Sequence, residues 1–280
     1  MIYTSTSCLK NPKNIIRVLT EYERAGLENV ELGSVHQHFD IKQLKQFNFN
    51  YTIHNYFPPP KISFNFNLAS SNNTILKKSL FLAKKAIDLC VKLECPLYTF
   101  HAGFTVDPKT LGKAFEKKNI IDRRFAVKIF IDSVKELTEY AKNRGISIAM
   151  EPNVVQKFNL VEGKNELLLF AEFKEIKEML KKFKRKELGI LIDLGHTAVT
   201  SHWLNFNKDE FVDLCRDRAF AIHLSNNNGI QDQHRSLTKN CWQLSKLSLF
   251  KDIPIILETM NLDINKIKYN IKLANSKICN

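Results

Sequence analysis

Six short apolar runs along this chain each stop at a side chain that binds divalent metal. Residues 51–53 end at His54, 97–100 at His101, 146–150 at Glu151, 189–192 at Asp193, 219–222 at His223 and 253–257 at Glu258. One such ending says little. The same placement six times over requires strands converging on a single mouth, as parallel strands do at the C-terminal face of a (β/α)8 TIM barrel. Imidazole and carboxylate donors suit zinc, manganese or iron, whereas structural zinc sites draw more on thiolates.

The rest of the chain alternates strand and helix patterns in the way α/β architecture demands. Strands are expected at residues 2–5 and 29–32, ahead of the six runs above, and helices at 14–25, 74–93, 125–143, 172–183, 207–216, 241–249 and 262–274. A weak helix is expected at 41–46, and Gly26 and Gly145 read as helix stops. The helix at 241–249 has the poorest pattern. No composition break divides the chain, so residues 1–280 are expected to form one TIM-barrel domain, of a size within the range of such barrels. Two loops, 57–73 and 104–121, exceed the usual strand-to-helix connection. Both follow histidine-ended strands and are expected to wall the site.

Charge and cysteine content narrow the setting. The formal net charge is +13, which raises the question of a nucleic-acid partner. The lysines are spread over helices, however, and the densest run, residues 174–186, interleaves Ile176, Met179, Leu180 and Phe183 at helical spacing. That is the solvated side of an outer helix. The six cysteines, Cys8, Cys90, Cys95, Cys215, Cys241 and Cys279, form no C-x-x-C pair, so buried reduced thiols are expected. No run is long enough to span a bilayer and the N-terminus lacks signal-peptide order. A cytoplasmic setting without membrane contact follows as the expectation.

Three further ligand types stand just behind the strand ends. His196 follows Asp193 as D-x-x-H, which can turn both side chains into one cavity; Asp232 and His234 form D-x-H, whose outer residues share a side if the segment is extended. That makes nine candidates: His54, His101, Glu151, Asp193, His196, His223, Asp232, His234 and Glu258. Each alone has a plain structural explanation, such as a polar strand end, an Asp193 cap on the next turn, or Glu258 paired with a lysine. Jointly they point to metal, because five of the eight histidines fall in the pattern. Asn153 and Asn226 are read as residues that orient ligands, Arg235 as either a phosphate contact or a solvated side chain, and His36, His38 and His202 as surface or loop residues.

The segments HNYF…NLASSN, TFHAG, MEPN, LIDLGH, IHLSNNNGIQDQHRSL and ILET resemble the xylose-isomerase-like barrel superfamily over roughly residues 51–260. It holds sugar and sugar-phosphate isomerases and epimerases together with endonucleases of type IV. The resemblance to the single-metal isomerases implies that Glu151, Asp193, His223 and Glu258 hold a cation while Glu151 and Glu258 move protons beside a sugar carbonyl. The resemblance to the endonucleases implies three zinc ions instead. His54, His101 and Glu151 would hold the first; Glu151 would bridge to a second on Asp193, His223 and Glu258; His196, Asp232 and His234 would hold the third. The loop GSVHQHFD lacks the Arg-Gln-Trp cluster by which those enzymes enter DNA, and neither Trp203 nor Trp242 lies in it. The expectation is therefore an isomerase or epimerase of a sugar or sugar phosphate, dependent on one to three zinc, manganese or magnesium ions. Nucleic acid is disfavoured as a partner. The alternative is a trinuclear-zinc phosphoesterase of the endonuclease IV type.

Overall fold

The computed structural model describes residues 1–108 and 113–278. Eight parallel strands close into a barrel in chain order: Ile2–Ser5 (β1), Asn29–Leu32 (β2), Asn50–His54 (β3), Leu97–His101 (β4), Ser147–Glu151 (β5), Gly189–Asp193 (β6), Ala219–Leu224 (β7) and Ile255–Leu257 (β8). β1 and β8 complete the closure, in register from Ile2 opposite Ile255 to Thr4 opposite Leu257. Every strand is thus paired on both edges, which leaves no open edge for aggregation. The (β/α)8 barrel expected from the sequence is the fold observed.

The helices surround this barrel: Ile15–Arg24 (α1), Asn73–Lys92 (α2), Arg123–Lys142 (α3), Phe173–Lys182 (α4), Leu194–Leu204 (α5), Lys208–Arg216 (α6), Trp242–Ser245 (α7) and Ile264–Ile278 (α8). Their starts are chemically marked. Asn14, Asn72, Asp122 and Asn207 each accept hydrogen bonds from first-turn backbone N–H groups, donors that the helix itself cannot satisfy. Residues 174–182 of the basic run lie on α4, which buries Ile176 and Met179 and turns its lysines outward.

Three elements differ from expectation. The weak helix at 41–46 is a 3-10 turn, Ile41–Gln46. The helix expected at 241–249 is broken into the single turn of α7 and a 3-10 turn, Leu247–Phe250. α5 was not expected at all: residues 194–201 are buried without interruption, so no apolar stripe alternates with a polar one to announce a helix.

The barrel interior explains how the strands build a site. Tyr3, Leu97, Ala149, Leu191, Ala221 and Ile256 form an apolar layer of their own inside the barrel. Side chains on a strand return to the same face every second residue. Two positions further on stand Ser5, Thr99, Glu151, Asp193, His223 and Glu258. The polar ring at the mouth therefore rests on an apolar plug that keeps water from reaching it from below.

Cys8, Cys90, Cys95 and Cys215 are buried free thiols and Cys241 is half-buried; Cys279 lies outside the described residues. Among the described residues no helix is long and apolar enough to cross a membrane.

Candidate metal centre

All nine candidate ligands meet at the C-terminal mouth of the barrel. His54, His101 and Glu151 bring donor atoms within 4.8 Å of one another; so do Asp193, His223 and Glu258, and so do His196, Asp232 and His234. Glu151 also lies within that distance of Asp193 and His196, so one carboxylate is common to neighbouring groups.

Each side chain is aimed by a partner. His54 Nδ1 pairs with Thr99 Oγ1 at 2.8 Å, which turns Nε2 toward Glu151 Oε2, 3.4 Å away. His101 Nδ1 reaches the same oxygen at 3.3 Å. Asp193 divides its carboxylate: Oδ1 caps α5 by accepting from the His196 backbone N–H at 2.7 Å, and Oδ2 faces the site. Capping and ligation are therefore compatible for this residue. Gly195 makes that turn possible, since a Cβ there would stand 2.7 Å from Ser225 Oγ and 3.1 Å from Asp193 Oδ1. In the loop after β7, the Asp232 backbone N–H donates to Gln156 Oε1 at 3.0 Å, and His234 Nε2 approaches Asp232 Oδ2 at 3.2 Å. That loop is not the extended D-x-H expected. His234 has φ +44°, and the side chains converge because the backbone turns.

The donor atoms face a shared space more than they face each other. Glu151 Oε1 and Oε2, Asp193 Oδ2, His196 Nδ1, His223 Nδ1 and Asp232 Oδ1 are buried without a hydrogen-bond partner. His196 Nδ1 comes to 2.9 Å from Glu151 Oε1, and His223 Nδ1 to 3.1 Å from Glu258 Oε2, yet these approaches are out of line for hydrogen bonds. Each orphaned polar atom costs roughly 1–3 kcal/mol. A cluster of them with imidazole and carboxylate chemistry fits the donor shell of divalent cations.

Without a cation the cluster holds protons. Burial works against ionising Glu151, but the imidazoles of His101, His196 and His223 outweigh it and hold the carboxyl well below its ordinary range. Burial, partly offset by His196 and reinforced by Glu151 and Glu258, pushes Asp193 up to about 6. His196 and His223 are raised well above 6.5 because facing carboxylates overcome burial. His234 rises to about 9 by the same balance, with Asp232 as its main partner. As at Asp193, burial wins at His101, which falls to about 4.

A pH dependence follows for the metal-free chain. A histidine whose folded pKa exceeds its unfolded value stabilises the fold fully below the unfolded value, and that stability fades as pH climbs through the folded one. For His234 the window runs from 6.5 to about 9, and the shift corresponds to on the order of 3 kcal/mol. Asp193 has the same sign, losing stability as pH rises from 3.8 to about 6. Chelator-stripped protein should therefore melt roughly 5 °C or more lower at pH 9.5 than at pH 6.5, and metal loading should remove the slope. A thermal melt that is flat across that window, or rises, contradicts the assignment.

One site residue was missed. Glu31, 1% exposed on β2, places Oε2 2.9 Å from His223 Nε2, leaving Nδ1 toward the cluster. It is not strand-final, so a search of strand ends passes over it. Conversely, Asn153 and Asn226 do not orient ligands. Asn153 Nδ2 donates to the carbonyls of Ala102, Gly103 and Leu169, binding the loops after β4 and β5 together. Asn226 pairs with Arg235 through the backbone; the Arg235 side chain is exposed. His36 is a loop residue, though a buried one, bridging Pro12 O and Thr6 Oγ1.

Above the ligands lies a cavity of about 250 Å3. Asn55, Phe104, Lys113 and Phe115 line it, but no residue of 57–73 does. That segment instead sends Phe57, Phe66, Leu68 and Ala69 into the core. Its place in the wall is taken by the loop after β5, with Asn153, Val154, Gln156, Phe158, Asn159 and Leu168.

With this geometry in hand, the comparison with known proteins is decisive at the level of family. Residues 41–271 match the family described as xylose isomerase-like TIM barrel. The chain belongs to that family. The uncharacterized protein MJ1614 of Methanocaldococcus jannaschii is 25% identical over 82% of this chain and 77% of its own length. A probable endonuclease 4 of Persephonella marina is 27% identical over 51% of this chain, and the match covers only 42% of that relative. Among solved structures, a D-tagatose 3-epimerase-like protein superposes with a TM-score of 0.70 at 17% identity, covering 99% of each chain. At that identity the likeness is one of fold.

Proposed function

We propose that this chain is a divalent-metal-dependent isomerase or epimerase of a sugar or sugar phosphate, with residues 1–280 acting as one cytoplasmic catalytic domain. The observation that carries the reading is the pair of buried glutamates, Glu258 and Glu151, 3.1 and 4.0 Å from His223 Nδ1, of which Glu258 lines a small cavity. Glu151, Asp193, His223 and Glu258 would hold the cation. When bound, zinc, manganese or magnesium supplies polarisation of adjacent carbonyl and hydroxyl oxygens, which acidifies the carbon between them. Glu151, kept ionised, takes the proton from that carbon. Glu258 would return a proton, which its carboxylate first takes up from the His234 imidazolium 3.7 Å away, to the opposite face of the same carbon in an epimerisation or to its neighbour in an isomerisation, and the two glutamates would exchange roles in the reverse direction. The apolar plug beneath and the cavity wall above limit competition from water.

One observation favours a second reading. The group His196, Asp232 and His234 is more than a single-metal isomerase needs, and it fits the third ion of a trinuclear zinc phosphoesterase. Elemental analysis of protein purified without chelator, with a sugar panel and an abasic-site duplex assayed in parallel, separates the two. The isomerase reading expects sugar turnover and an intact duplex. Three zinc per chain with cleavage at the abasic site overturns it.

A further inference from the structure

We propose that the substrate carries an apolar or aromatic group beside its polyhydroxy end, seated on the apolar part of the cavity wall; this rests on the sugar-isomerase reading. The cavity has two unlike halves. Its floor is the imidazole and carboxylate cluster, with the buried and unpartnered Asn55 Oδ1 at its edge. Much of the rest of its lining is apolar: Val35, Phe104, Phe115, Val154, Phe158 and Leu168.

That wall is built in place. Phe104 and Phe115 meet edge to face at 5.3 Å, and with Val155, Leu167 and Leu168 they belong to an apolar cluster separate from the barrel core. The loops after β4 and β5 clamp it through an antiparallel bridge between Phe104 and Leu168, with Thr105 N donating to Leu167 O at 3.0 Å and Leu169 N to Gly103 O at 3.1 Å. A wall so fixed needs little reordering on binding. At its lip Phe158 is 37% and Val35 38% exposed. Apolar side chains left open to water around a cavity gain when a ligand covers them.

Charge argues the same way. Among the described lining residues Lys113 is the one cation outside the ligand set, and no arginine fork is present to match a phosphate. The helix N-terminus nearest the ligands, that of α5, is already closed by Asp193, so it offers no phosphate cradle. An uncharged apolar group suits this half of the cavity; a second dianion does not.

Calorimetric titration of the zinc-loaded full chain with methyl β-glucoside, phenyl β-glucoside and glucose 6-phosphate tests this. The phenyl compound should bind at least about tenfold tighter than the methyl compound, as burial of a ring implies. Phe158→Ala should bring that ratio close to one at unchanged metal content per chain. Equal affinity for the two glucosides overturns the proposal. So does a preference for glucose 6-phosphate that Lys113→Ala abolishes. If none of the three binds while an abasic-site duplex is cut, the sugar-isomerase reading itself has failed.

Discussion

Glu151→Gln is expected to leave a folded barrel that has lost turnover by about a thousandfold or more and at least one equivalent of bound metal. Glu151 faces His54 and His101 with Oε2 and His196 with Oε1, so two groups of ligands depend on its one negative charge. An amide keeps the volume but removes that charge, and it turns an N–H donor toward imidazoles that are themselves donors when protonated. The metal-free variant also has a signature of its own. With less negative charge facing them, His196 and His223 should lose protons at lower pH, so the fall in melting temperature with rising pH should begin earlier than in the parent. Metal per chain, turnover on whichever sugar the parent accepts, and melting profiles at several pH values read out the three effects. Full activity at parental metal content would remove Glu151 from the centre of the site.

The reach of sequence reasoning here depends on which residues carry a periodic signal. All eight strands lie close to where the sequence places them, six of them on apolar runs, because a strand inside a closed barrel is buried on both faces. Six of the nine candidate ligands were legible for a related reason: a side chain with metal chemistry at the end of such a run has no core to join. α5 gave no warning. Residues 194–201 are buried on every side, and a helix with no exposed stripe has no period to find. The turn at His234 was misjudged because a left-handed φ at a non-glycine residue is imposed by tertiary contacts, here His234 Nδ1 on Glu258 O and Met260 N on His234 O. Of the two long loops expected to wall the cavity, residues 104–121 supply Phe104, Lys113 and Phe115, whereas 57–73 is absent from the lining for the same kind of reason. Length and the histidine-ended strand before it marked residues 57–73, whereas the antiparallel pairing between Phe104 and Leu168 that holds the loop after β5 in place joins residues far apart in the chain.

The second large effect concerns Glu31, and it separates holding a ligand from being one. His223 has two ring nitrogens and needs one of them free for a cation; the Glu31 carboxylate, 2.9 Å from Nε2, fixes the proton there and presents Nδ1 to Glu258 and Asp193. Such a carboxylate behind a metal-binding imidazole sets the tautomer and strengthens the ligand, and its loss lowers metal affinity by about 10- to 100-fold. Glu31→Leu should show that loss in chelator competition. It should also destabilise the metal-free protein by roughly 3 kcal/mol, since a buried imidazole is left without its partner. Glu31→Gln keeps an acceptor oxygen and should fall between the two, which excludes a purely steric origin. Nitrogen chemical shifts of His223 in the metal-loaded protein supply a readout that general destabilisation would not move: the Nε2-protonated form should dominate in the parent and the glutamine variant but not in the leucine variant. Because Glu31 lies opposite Ser5 and Thr52 in register, no neighbouring charge can take over its role. Unchanged metal affinity in Glu31→Leu would mean that His223 is held by the strands alone.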